Sequence, residues 1–238
     1  MKNFFTTKRI CRAAVIAALY ATLSITLAPI SSGEFQCRIS EALTVLPLFF
    51  PEAIAGLTIG CLLTNLLVGN GILDVVLGTL ATLLAAITTF VIGRTVKKNL
   101  PRLILGEIPP ILYNAFLVPI TFSLTAEELK DGYLLYALWV GLGQLAAVGI
   151  AGSILYFAVD RLQRKGVPFF TDKQAENGKT FSPLGAVLTF GSILPAIGAL
   201  VAYMIIGSYN PISTSLVVLS VLVLVICTLA RLFKPEKE

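Results

Sequence analysis

The chain has 238 residues, of which 56% are hydrophobic and 13% charged, with a net charge of +5 and a mean hydropathy of +0.88. Soluble globular chains carry about 25% charged residues, so half that share alongside long apolar runs reads as an all-α integral membrane protein. The basic residues fall in short clusters beside apolar runs, which marks topology-setting charge rather than a nucleic-acid surface, and the lack of histidine and of paired cysteine spacing (Cys11, Cys37, Cys61, Cys227) excludes zinc sites and histidine relays.

Lys8, Arg9 and Arg12 precede an apolar run from Ala13 to about Ile30, longer than the roughly 7–15 residues of a signal-peptide core, so an uncleaved first span is predicted over residues 11–30. Residues 39–68 are too long for one span and are interrupted by Pro47 and Pro51. They predict either a short helix followed by a full one, or a re-entrant pair hinged at Phe50-Pro51. Further spans are predicted over residues 72–93, 103–123 and 134–160, with Pro109-Pro110 and Pro119 expected to break the second of these around Asn114.

The positive-inside rule puts Lys8, Arg9 and Arg12 in the cytoplasm together with the Arg94, Lys97, Lys98 and Arg102 cluster. Parity then requires that residues 39–68 begin and end outside. The acidic loop Glu127-Glu128-Leu129-Lys130-Asp131 falls outside, and Arg161, Arg164 and Lys165 fall inside. Residues 1–165 therefore form a six-helix membrane domain, 166–182 a polar cytoplasmic linker, and 183–238 an extension with two more spans over 183–206 and 212–233. Arg231, Lys234 and Lys237 return the C-terminus to the cytoplasm, so a multi-pass plasma-membrane protein with both termini inside is expected.

On this topology Gln36, Arg38, Glu41, Asn65, Asp74, Asn114, Trp139 and Gln144 come from different segments yet share the outer leaflet, as a pocket open to the outside requires. A charge within a membrane segment costs roughly 2.5–3.5 kcal/mol, so it usually serves a site or a partner. Each residue also has a plainer role. Arg38 and Glu41 can pair on one helical face, Asp74 suits a helix N-terminus, Trp139 an interfacial belt, and Asn114 and Gln144 interhelical contacts. Glu52 and Glu107 fall near the cytoplasmic side, placed to snorkel or meet a partner rather than a substrate.

The run Gln36-Cys37-Arg38-Ile39-Ser40-Glu41-Ala42-Leu43-Thr44-Val45-Leu46-Pro47, continuing through Phe50-Pro51-Glu52-Ala53-Ile54 to Gly60, closely resembles the signature of QueT-type queuosine-precursor transporters. These are substrate-binding (S) components of energy-coupling-factor importers, and the resemblance covers about residues 8–165. It implies a six-helix S-component bundle, with the two C-terminal spans as an addition. It also implies a 7-deazaguanine ligand such as queuine or its aminomethyl precursor.

A guanine-like edge offers a ring N–H and an exocyclic amine to one carboxylate, Glu41 or Asp74. Its carbonyl needs a donor such as Arg38, Gln36 or Asn114, and its ring stacks on Trp139 or Tyr113. Where such sequences often carry a glutamate after a Gly-x-Gly, this chain has Gly141-Leu142-Gly143-Gln144, which tilts away from a cationic precursor.

Ala13, Ala17 and Ala21 on one face of the first span, with Ala14 and Ala18 beside it, form a small-xxx-small pattern. The resemblance implies that these alanines dock on a transmembrane coupling protein, against the plainer alternative of packing within the bundle. No Gly-x-x-x-x-Gly-Lys-[Ser/Thr] loop is present, so ATP would be used by two ATPase subunits on other chains, and no cofactor or metal is expected in this one. A self-sufficient carrier is the competing transport reading, although no internal repeat supports it. A membrane enzyme using Glu41, Glu52 and Asp74 lacks the Asp-x-x-Asp or histidine clusters of such enzymes, so no catalytic residue is expected.

Overall fold

The structure, a computed structural model, describes residues 6–28, 38–68, 71–125 and 133–171, all within the first of two units into which the chain divides, Met1–Lys179. Gln36 and the two spans expected over 183–233 lie outside the described residues. Every regular element among the described residues is helical. In chain order these are α1 (Thr7–Thr26), a 3-10 helix (Ile39–Leu48), α2 (Ala53–Val68), α3 (Ile72–Thr95), α4 (Asn99–Thr125), α5 (Tyr133–Gln144), a π-helical stretch (Leu145–Gly152) and α6 (Ser153–Arg164). Among the described residues, four stretches are long and apolar enough to cross a membrane: α1, α3, Asn99–Thr121 of α4 and the continuous run Tyr133–Arg164.

The region 39–68 resolves into the short helix and a second helix, joined by a turn at Phe50-Pro51-Glu52. With 16 residues, α2 is about 24 Å long at 1.5 Å per residue, short of the roughly 30 Å hydrocarbon core.

The 3-10 helix is the innermost element, buried at every residue from Ser40 to Leu48. Glycines on three neighbours make that burial feasible. A Cβ on Gly93 of α3 would stand 2.7 Å from the Leu48 carbonyl oxygen, one on Gly106 of α4 would stand 2.8 Å from Leu48 Cδ2, and one on Gly152 would stand 3.0 Å from Val45 Cγ1. The glycines thus form a slot that the 3-10 helix fills with its Leu48 backbone and its Leu48 and Val45 side chains. At its C-terminal end, Arg102 donates to the Leu48 carbonyl and lies 5.1 Å from the Phe49 ring, placing a cation where a helix leaves its carbonyls exposed.

Helices α1 and α2 meet through Gly56 and Gly60, where added Cβ atoms would lie 2.7 Å from the Ala13 carbonyl and 2.8 Å from the Ala17 carbonyl. The alanine face of α1 therefore divides. Ala17 is buried within the chain and Ala13 is half-buried against Gly56, while Ala14 and Ala18 stay exposed and Ala21 is half-buried. Ala13 and Ala17 serve packing inside the bundle, which leaves Ala14 and Ala18 as the outward part of the expected docking face.

The prolines do not break α4, contrary to expectation: the helix runs through Pro109, Pro110 and Pro119. Pro110 has no N–H to give the Gly106 carbonyl, and Thr89 of α3 supplies the missing donor at 3.0 Å. A neighbouring helix thus satisfies the freed carbonyl and the helix continues.

At the opposite end of the 3-10 segment from Glu41, Arg12 and Glu52 form a buried ion pair, with Arg9 Nε 3.9 Å from the second Glu52 oxygen. Glu52 is 7% exposed, so it neither snorkels nor faces out as expected. Glu107 is half-buried and accepts from Ser153 at 2.7 Å. The Arg12 guanidinium lies 4.2 Å from the Phe50 ring and 5.5 Å from the Phe169 ring, and it donates to the Phe169 carbonyl at 2.5 Å. Past the positive-φ Gly166 that follows α6, the segment Val167–Thr171 is thereby strapped across this end, with Gln163 holding the Phe170 carbonyl at 3.0 Å.

Candidate substrate site

Opposite charges near the start of the 3-10 helix sort into two clusters rather than one pair. Arg38, just ahead of the helix, reaches Asn65 Oδ1 of α2 at 3.1 Å, and its other nitrogen lies 3.7 Å from Asp74 Oδ2 of α3. Asn65 in turn donates to the Asp74 backbone carbonyl at 3.3 Å. Gly71 has φ of +98°, which favours glycine, and it brings the end of α2 back against the first turn of α3. Gly78 leaves the space for Asn65, since a Cβ there would lie 2.8 Å from Asn65 Nδ2.

Glu41 belongs to the second cluster. Its carboxylate accepts from the Tyr20 hydroxyl of α1 on one oxygen and from Asn114 Nδ2 of α4 at 3.3 Å on the other. Glu41 is 1% exposed and Tyr20 is 0% exposed. Asn114 also donates to the Pro110 carbonyl at 3.0 Å, which orients its amide. Ser24 and Ser40 add a contact at 2.6 Å between α1 and the 3-10 helix. The expected pairing of Arg38 with Glu41 on one helical face is thus replaced by partners on other helices. In a 3-10 helix residues three apart do eclipse, but Arg38 lies outside the helix with extended backbone.

Five of the expected residues, Arg38, Glu41, Asn65, Asp74 and Asn114, come together in these two clusters at the start of one element. Gln144 is buried at the end of α5, and its Oε1 has no hydrogen-bond partner among the described residues. Trp139 lies one turn earlier and is half-buried. Tyr113 is buried, with its hydroxyl 3.4 Å from Thr88 Oγ1.

The sequence reading missed Tyr20. Its signal was a phenol in the middle of an apolar span, where a buried O–H needs a partner. Chemically, Arg38 and Asp74 neutralise each other, while Glu41 is held by two neutral donors. Among the described residues this leaves a desolvated carboxyl group at Glu41 with acceptor positions beyond those that Tyr20 and Asn114 occupy.

The family model described as QueT transporter matches residues 10–161. The chain belongs to the QueT transporter family. All five clustered residues, together with Tyr20, Trp139 and Gln144, fall inside the match, and the Val167–Thr171 strap falls beyond it. The chain is also 42% identical over 72 residues to the queuosine precursor transporter QueT of Lactococcus lactis subsp. cremoris (strain MG1363). That alignment covers 29% of this chain and 42% of the relative, less than half the relative's length. No solved structure matches. With four helices among the described residues long and apolar enough to cross a membrane, membership of this family makes the chain a multi-pass membrane protein.

Proposed function

We propose that the chain is the substrate-capture subunit of an energy-coupling-factor importer for a queuosine precursor. It takes a 7-deazaguanine from outside and delivers it through a coupling protein driven by two ATPases. The six-helix bundle with both ends cytoplasmic is the binding unit, and the two C-terminal spans are an addition to it. The observation that carries this reading is the carboxylate of Glu41, buried in a family-matched segment and held from two sides by Tyr20 and Asn114. A carboxylate has about four acceptor positions, so two remain for the ring N–H and exocyclic amine of a guanine-like edge. Asp74 is already engaged by Arg38, which leaves Glu41 as the ligand acid of the two considered.

The engagement of Asp74 by Arg38, with Glu41 held by neutral donors, favours a cationic precursor, the aminomethyl form, over a neutral one. A cationic group on the ligand would give the buried Glu41 carboxylate an ion-pair partner of the kind that Arg38 gives Asp74. The Gly141-Leu142-Gly143-Gln144 run argues the other way, toward a neutral deazaguanine. Calorimetric titration of the purified chain with 7-aminomethyl-7-deazaguanine, its neutral nitrile analogue and guanine tests the reading. The aminomethyl compound should bind at least about tenfold more tightly than the nitrile, about 1.4 kcal/mol. Equal affinity for all three, or for none, sinks it. Uptake that persists in cells lacking the ATPase subunits would instead favour a self-sufficient carrier.

A further inference from the structure

Resting on the reading of Glu41 as the ligand acid, we infer that Tyr20 is its positioning residue and that α1 thereby sets the geometry of substrate recognition. Tyr20 is fully buried near the middle of α1, and its hydroxyl donates to Glu41 Oε1. Asn114 donates to Oε2 from α4. One donor on each oxygen, delivered from two different helices, fixes the plane of the carboxylate and leaves one acceptor position on each oxygen for a two-donor edge. With Asn114 alone the carboxylate is free to rotate about its last torsion, which is broad and shallow.

The reach of Tyr20 is itself set by close packing. A Cβ on Gly60 would lie 2.8 Å from both the Tyr20 Cβ and the Ala17 carbonyl, so α1 lies against α2 at a separation only glycine permits. On either side of Tyr20, α1 is tied to the same chain segment by Ser24 with Ser40 at 2.6 Å and by the ion pair of Arg12 with Glu52. Tyr20 is therefore the middle of three polar ties along one helix and the one that ends on the ligand acid.

The test is a double-mutant cycle on the full-length chain, read by calorimetry with 7-aminomethyl-7-deazaguanine. Tyr20→Phe removes one oxygen atom and should raise Kd about tenfold, as expected for a lost hydrogen bond to a charged group. In a Glu41→Gln background the same change should alter Kd by less than about twofold, because the geometry it enforces no longer matters. An equal effect in both backgrounds assigns Tyr20 to packing and overturns the proposal. If Glu41→Gln weakens binding and Tyr20→Phe does not, only the role of Tyr20 falls; if Glu41→Gln changes nothing, the ligand reading falls with it. A second measurement does not depend on the phenylalanine variant folding. With 3-fluorotyrosine at position 20, the fluorine resonance should move on saturation with the ligand in wild type and stay unmoved in Glu41→Gln. A resonance indifferent to ligand in wild type also overturns the proposal.

Discussion

Arg38 shows how one partner changes what a substitution means. Its guanidinium lies 3.7 Å from Asp74 Oδ2, both side chains being buried, so removing it strands a carboxylate in a low-dielectric site. Arg38→Ala is expected to cost about 3–5 kcal/mol of stability, whereas the neutral pair Arg38→Gln with Asp74→Asn should cost much less. Thermal unfolding in detergent distinguishes the two, and equal losses would show that the pair is not coupled. Glu41→Gln should behave differently. It keeps an oxygen for one of the two donors, Tyr20 or Asn114, and turns an NH2 toward the other without stranding a charge, so the fold should hold while affinity for the aminomethyl ligand drops at least about tenfold, which titration reads directly. That Arg38 and Glu41 mattered was legible from charges in an apolar run. Their partners were not, because Asn65, Asp74, Tyr20 and Asn114 sit on four other helices and no local spacing encodes which helices touch.

Among the elements, the 3-10 helix depends most on its neighbours, and glycine contacts tell which neighbours can yield. A methyl on Gly93 would meet the Leu48 backbone at 2.7 Å, but one on Gly106 would meet the mobile end of the Leu48 side chain. Gly93→Ala should therefore cost about 1–3 kcal/mol and disturb ligand binding, with Gly106→Ala distinctly milder. Similar losses at both positions would mean that the slot deforms freely. Helix α1 gives a parallel contrast. Ala14→Trp, on the exposed face, is expected to abolish uptake while the purified chain still binds, whereas Ala17→Trp, against Gly60, should unfold the bundle. Retained uptake by Ala14→Trp would place the docking face elsewhere. Small-residue spacing announced that something approaches α1 closely, and only the packing divides that face between α2 and the outside. The prolines of α4 misled for a related reason: the donor that rescues the Gly106 carbonyl belongs to Thr89 on another helix.

For the whole molecule, the long apolar spans and the membrane class were plain from hydropathy, since each span carries its own signal. The inner boundary of the binding unit was less so. A cut after Gly166 looked natural by charge parity, yet Val167–Thr171 lies beyond that point and supplies Arg12 with the Phe169 ring and carbonyl. A chain ending after Thr171 is expected to insert and bind with the full-length affinity. One ending after Gly166 should lose stability by about 1–3 kcal/mol, because a buried guanidinium N–H is left unsatisfied. Comparing the two truncations by thermal unfolding and titration checks this, and indistinguishable behaviour would reduce the strap to a surface contact.

The glycine slot also dictates an order of birth. At about 2.0 Å per residue the ten residues of the 3-10 helix span about 20 Å, too little to cross a bilayer unaided, and charged residues lie at both ends. The slot that receives it is lined by Gly93, Gly106 and Gly152, all synthesised later than Leu48. The segment is therefore expected to reach its buried position only after these glycines are in the membrane. A cysteine placed at Val45 should react with a water-soluble thiol reagent in stalled chains ending before Gly152 and be shielded in chains extended through α6.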